Sequence, residues 1–236
     1  MNSKSSIILI SLISFLWLTG CGPTYLPAIW DSAPPMHFPN EIKTKGDVSF
    51  ISGYYNQSTG FNQNESNKFF KASYGKALGG KWYRFAGSGF AYIGVYNVTQ
   101  SDNILHRGKK SYLGFGGDID ANVFLPLYLF NLGVGLYSGI CTELGDYASV
   151  WRKEENWGFA EVLTPLGFIY AFTQFNITKN DKLTFRLGVG LPSGYSLGIS
   201  YYNLNYGGLW IGFHPTETET GSQFSFSSFG ISVNIK

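Results

Sequence analysis

Between residues 111 and 125 the chain alternates. Leu113, Phe115, Gly117, Ile119, Ala121, Val123 and Leu125 occupy one set of positions, while Tyr112, Gly114, Gly116, Asp118, Asp120 and Asn122 occupy the other. Successive side chains of a strand point to opposite faces, so period two with one apolar and one polar face predicts a strand between two different solvents. After Pro126 the pattern returns: Tyr128, Phe130, Leu132, Val134, Leu136 and Ile140 alternate with Asn131, Gly133, Gly135 and Gly139. It recurs where Leu183, Phe185, Leu187, Val189 and Leu191 face away from Thr184, Arg186, Gly188 and Gly190. Residues 83–96 carry a noisier version.

Counting such segments predicts about ten strands, near 47–57, 67–78, 81–98, 109–124, 127–142, 157–173, 182–192, 195–203, 207–213 and 221–235. Eight strands result if two of the short late segments are not separate. No convincing helix pattern follows Gly46. The connections 58–66, 99–108, 143–156 and 214–220 are long and polar, whereas Gly79-Gly80 and Leu125-Pro126 are tight. Up to residue 156 long and short connections alternate, which is the asymmetry of an outer-membrane barrel with short periplasmic turns and long outward loops. The expected fold is therefore all-β: an antiparallel up-and-down barrel of about 8–10 strands that spans a membrane. Aromatic residues at strand ends (Trp82 and Tyr83, Tyr128 and Phe130, Trp151 and Trp157, Tyr201 and Tyr202) suit the interfacial zone on either side of a bilayer.

Composition sharpens this. Charged residues make up 14% of the chain, against about 25% in an ordinary soluble domain. Aromatics reach 18% and glycines number 30, as suits strands that face lipid on one side. A net charge of +2 supplies no basic stripe, which excludes nucleic acid as the expected partner.

The first residues carry an address. Lys4 gives a short positive region, and residues 7–18 form an apolar run too short to cross a bilayer, which takes about 20 residues as a helix. The run ends in Leu18-Thr19-Gly20-Cys21, which resembles the lipobox of bacterial lipoproteins. The resemblance implies removal of residues 1–20 and acylation of Cys21. Gly22, rather than aspartate, at the second mature position implies by the same analogy transfer to the outer membrane. Cys141 is then the lone thiol, so no internal disulfide is expected, and a small apolar role suits it. Residues 21–46 hold Pro23, Pro27, Pro34, Pro35 and Pro39, and read as an extended lipidated tether between the anchor and a barrel domain over 47–236. Part of it, with Tyr25 and Trp30, could lie at the interface or pack beneath the barrel.

The chemistry on offer is sparse. Arg84, Asp118, Asp120, Glu161 and Arg186 fall on inward faces. In a narrow barrel, whose interior side chains fill, they read as a compensated charge network; the rival reading is a lumen lined for ion or solute passage. Asp118 and Asp120 share a face, yet no nearby histidine or third acid completes a metal site. His37, His106 and His214 are scattered through tether and loops, and Asp102, His106 and Ser111 share one loop region without any catalytic motif. Glu143, Asp146, Arg152, Lys153, Glu154 and Glu155 make a mixed charge run of the kind that solvates a loop.

Two resemblances bear on function. Gly80-Lys81-Trp82 matches the short Gly-x-Trp motif of lipocalins, soluble barrels that enclose an apolar ligand, but it falls after a full hairpin instead of at the first strand. The end, from Ser228 to Lys236, resembles the C-terminal signal of barrels inserted by the outer-membrane assembly machinery, with Val233 and Ile235 where aromatics are usual. Taken whole, the chain resembles the lipid-anchored outer-membrane β-barrel proteins of Gram-negative bacteria. That resemblance implies an outer-membrane lipoprotein and gives a place and a shape more than an activity; the working expectation is a structural or interaction barrel without enzymatic activity. It carries no cofactor beyond the lipid on Cys21 and presents loops outward to envelope or external partners. It would depend on outer-membrane lipid and on the barrel-assembly and lipoprotein-sorting machineries. A ligand-binding lipocalin-like lipoprotein, a small pore and a lipid-modifying barrel are the competing expectations.

Overall fold

The computed structural model describes residues 28–30, 32–36, 46–59, 65–99, 107–153, 163–191, 194–218 and 221–235. Residues 1–20, Cys21, His37, Asp102, His106, Trp157 and Glu161 lie outside these.

Ten strands close into one antiparallel barrel: β1 (Gly46–Ser58), β2 (Glu65–Gly79), β3 (Tyr83–Val98), β4 (Gly108–Pro126), β5 (Phe130–Leu144), β6 (Thr164–Asn176), β7 (Asp181–Leu191), β8 (Gly194–Asn203), β9 (Gly207–Thr218) and β10 (Gly221–Ile235). Each pairs with its sequence neighbours, and β1 closes on β10 from Ser49 opposite Ile235 to Asn56 opposite Ser228. Closure leaves no open edge, which is what a sheet needs where no water can satisfy its backbone. Following paired residues once around the wall shifts the register by about 12 residues, so the strands tilt by about 40°.

The alternation resolves into two surfaces. Ile93, Leu113, Phe115, Ile119, Val123, Leu136, Ile169, Leu187, Ile199 and Ile231 are exposed on the outside. Their strand neighbours Tyr92, Tyr112, Asp118, Asp120, Asn122, Tyr137, Phe168, Tyr170 and Arg186 are buried inside. A soluble barrel around an apolar ligand would have these faces reversed. An apolar belt outside and a polar, aromatic interior make this a membrane-spanning barrel. Trp82, Tyr83, Tyr128, Tyr201 and Tyr206 are exposed toward one end, where amphipathic rings favour the interface. Tyr202 is instead buried, because one position along the strand turns it inward.

That same end carries the β2/β3, β4/β5, β6/β7 and β8/β9 connections, together with the start of β1 and the end of β10. They are tight, closed by Gly80 N–H to Tyr83 O at 2.8 Å, Leu127 N–H to Phe130 O at 2.9 Å, Ile177 N–H to Asp181 O at 3.0 Å and Tyr206 N–H to Asn203 O at 3.2 Å. Gly207 takes φ +120 in the last of these, and a Cβ there would sit 1.9 Å from Ser232 O. The opposite end holds the β1/β2, β3/β4 and β5/β6 loops, but only two residues each join β7 to β8 and β9 to β10. Strand β9 therefore runs on through Thr218 where the sequence predicts a polar loop from 214. The β5/β6 connection holds a helix, α1 (Asp146–Lys153), where an unstructured loop was expected. Eight residues are too few for a readable helical period, and α1 is held by tertiary contact: Tyr147 stacks on Tyr96 at 4.4 Å between ring centroids.

Candidate functional site

The lumen is where the chain concentrates its chemistry. Its inward glycines make room for large rings. A Cβ on Gly114 would stand 2.0 Å from the Tyr92 ring, one on Gly135 2.3 Å from Tyr170, one on Gly133 2.2 Å from Phe172, and one on Gly230 2.1 Å from the Trp210 indole. Aromatic neighbours such as Tyr54 and Trp210, with centroids 5.1 Å apart, then pack edge to face across the interior.

Among these rings sit buried charges. Lys71 Nζ lies 3.2 Å from Asp118 Oδ2, with side chains 1% and 4% exposed. Asp118 also accepts hydrogen bonds from the hydroxyls of Ser88 and, at 2.9 Å, Tyr137. The Lys71 ammonium rests 3.6 Å from the centre of the Phe90 ring. Arg84 pairs with Asp120 at 3.3 Å, and the Tyr170 hydroxyl donates to the same carboxylate. Arg186 stacks 5.1 Å from the Tyr170 ring. Asp118 and Asp120 thus each have a cation and at least one hydroxyl donor, the arrangement that makes charge tolerable away from water.

The remaining partners come from the chain's own N-terminal segment. Residues 28–30 form a single 3-10 turn, and residues 32–36 follow without regular secondary structure; both stretches lie within the barrel. Ala28 N–H donates to Glu143 Oε1 at 3.4 Å, and the Ala28 carbonyl accepts from Asn67 Nδ2 at 2.7 Å. Lower down, Arg186 donates to the carbonyls of Pro34 and, at 3.0 Å, Pro35. Gly212 faces Ala33 and Gly198 faces Met36; a Cβ at either would stand within 2.6 Å of that residue. Small inward residues on β7 to β10, including Gly188, Ser196, Gly198, Ser200, Gly212 and Ser228, leave the volume that this inner segment occupies. Between the segment and Tyr54, Lys71, Tyr137, Leu166 and Phe168 there remains about 10 Å³, about the volume of a single probe sphere, the least that admits one water molecule. The described part of the proline-rich tether is therefore inside the wall, not an extended spacer beneath it.

Of the residues expected to form a charge network, Arg84 and Asp120 pair with each other, Asp118 pairs with Lys71, Arg186 binds the inner segment, and Glu161 lies outside the described residues. Lys71 escaped sequence reading because both faces of β2 carry lysine and phenylalanine (Phe69 and Lys71 inward, Lys68 and Phe70 outward). Glu143 was read as the start of a solvated loop, but β5 runs one residue past it and it is fully buried, accepting from the Tyr92 hydroxyl at 3.1 Å. His214 is likewise not in a loop: it is buried on the inner face of β9. Ser111 sits on the outside of β4, 3.2 Å from Asp146 Oδ2. Cys141 is buried in the interior beside the Tyr92 hydroxyl, 3.8 Å away. Among the described residues no group of three or more His, Cys, Asp or Glu side chains gathers as a metal site.

No protein-family model matches the chain, and no curated protein matches its sequence. Solved structures do. An outer membrane channel from Pseudomonas putida F1 is similar over 87% of this chain and 98% of its own, at 8% identity and a TM-score of 0.46. The translocator domain of the autotransporter NalP from Neisseria meningitidis is similar over 82% of this chain and 89% of its own, at 10% identity and a TM-score of 0.35.

Proposed function

We propose that this protein is an outer-membrane lipoprotein of a Gram-negative envelope whose barrel is a closed membrane anchor that holds loops outward for envelope or external partners. The observation that carries this reading is the filled lumen. Buried ion pairs, aromatic rings and the inner segment occupy the interior from Glu143 down to Arg186, and this packing supports a closed barrel over an open pore. The apolar belt supports membrane insertion, and the short turns, by the usual asymmetry of such barrels, face the periplasm. Cys21 carries the lipid, residues 1–20 are removed, and insertion requires the lipoprotein-sorting and barrel-assembly machineries. No enzymatic step, cofactor or nucleic acid enters this reading.

The test is electrical and biochemical together. Purified protein reconstituted into planar bilayers is expected to give no conductance steps, while running at different positions on unheated and heated gels. Stable steps from the wild-type protein would replace the closed-anchor reading with a pore. A folded, monodisperse protein in plain buffer would remove the membrane altogether.

A further inference from the structure

The course of the inner segment fixes more than the packing of the lumen. Its lower part is at Arg186 and Gly198, each midway along its own strand. Its upper part, Ala28, is at Glu143 and Asn67. Glu143 is the penultimate residue of the 15-residue β5, and Asn67 is the third residue of β2 from the loop end. At about 3.3 Å per residue and a tilt of about 40°, Glu143 stands roughly 30 Å above the short-turn end of β5. Traced from Met36 toward Ala28, the described segment therefore climbs from mid-lumen toward the loop-end mouth, while β1 starts at the short-turn end.

From Ala28 only seven residues lead back to Cys21. Fully extended, they reach at most about 24 Å. That is less than the way back to the short-turn end. The loop-end mouth and the leaflet around it are within reach. We infer that the mature N-terminus leaves through the loop-end mouth, so that the acyl chains of Cys21 enter the outer leaflet and the protein is pinned to the cell surface by a segment threaded through its own barrel. This rests on the proposed acylation and orientation. It assigns the segment a role beyond filling space: Glu143, Asn67 and Arg186 hold it at both levels, and Gly198 and Gly212 are seats cut for it.

The test uses single cysteines in a Cys141→Ser background, probed on intact cells with a membrane-impermeant maleimide. Asn103→Cys, in the β3/β4 loop, and Tyr25→Cys, three residues before Ala28, are expected to label on intact cells. Thr44→Cys, just before β1, is expected to label only after the outer membrane is permeabilised. Tyr25→Cys that labels only after permeabilisation or denaturation, with Asn103→Cys labelling on intact cells, would overturn the threading. Thr44→Cys labelling on intact cells would do the same. Failure of Asn103→Cys to label on intact cells would overturn the orientation. The mass of the mature N-terminal peptide reads acylation separately: an unmodified Cys21 would overturn the lipid anchor and leave the threading to the labelling result.

Discussion

Replacing Lys71 by methionine tests the physical account of the lumen most directly. The substitution keeps an unbranched stem and removes the charge 3.2 Å from Asp118. Asp118 retains hydrogen bonds from Ser88 and Tyr137 but loses the ammonium beside it. Removing one partner of a buried pair costs about 3–5 kcal/mol, because the survivor is left charged and desolvated. The two remaining hydroxyl donors place Lys71→Met near the lower bound. Loss of the ammonium from the Phe90 face, 3.6 Å away, adds about 1 kcal/mol. A total near 3–4 kcal/mol, with a urea slope of about 2 kcal/mol per molar, moves the unfolding midpoint down by roughly 1.5–2 M. The assay is urea titration of the barrel in phosphocholine vesicles, followed by tryptophan fluorescence. Adding Asp118→Asn removes the stranded charge and is expected to recover at least half of the loss. A Lys71→Met midpoint within 0.5 M of wild type (about 1 kcal/mol at the same slope) would refute the desolvated ion pair, as would a double variant no better than the single.

Three further outcomes follow from other parts of the molecule. Ile119→Arg places a charge on the lipid face in mid-belt and is expected to cost about 2–4 kcal/mol in the same titration. Tyr128→Arg, at a turn position 97% exposed, is expected to cost no more than about 1 kcal/mol; equal losses would contradict the placement of the belt. Gly198→Leu fills the seat of Met36, so added protease is expected to cut between residues 28 and 36 in the folded variant but not in wild type; equal resistance would show that the seat is not needed. Asp181, the first residue of β7 at the short-turn end, closes the β6/β7 turn and accepts from Thr178, from Tyr201 at 2.7 Å and from Asn203 at 2.8 Å, which holds its carboxyl below the ordinary aspartate range. A folded value below the unfolded one of about 4 gives stability that is complete above that pH and lost as pH falls through the folded value. Urea midpoints between pH 5 and pH 2 are expected to drop further for wild type than for Asp181→Asn, and parallel curves would refute the contribution.

What the sequence by itself determined is the wall. Period-two alternation over residues 111–125, 128–140 and 183–191 names the lipid face and the inner face residue by residue, because a strand has only two faces and a membrane barrel gives them opposite solvents. A strand count of about eight to ten, tight links near Gly79-Gly80 and Leu125-Pro126, and the inward placement of Arg84, Asp118, Asp120 and Arg186 follow from that alone; closure at ten strands does not. Only the tertiary structure decided what meets across the lumen. Lys71 and Asp118 are on strands separated by β3, and their contact depends on the tilt and closure of the barrel, which are not written in local spacing. The fate of the proline-rich segment was hidden for the same reason. Residues 28–36 satisfy any reading as a tether, since proline rules out helix and central strand but not a lumen. Their place is set by distant small residues, Gly198 and Gly212, and by carbonyls that Arg186 reaches across some 150 residues of sequence. Local pattern fixes which way a side chain points; closure of the barrel fixes what it finds there.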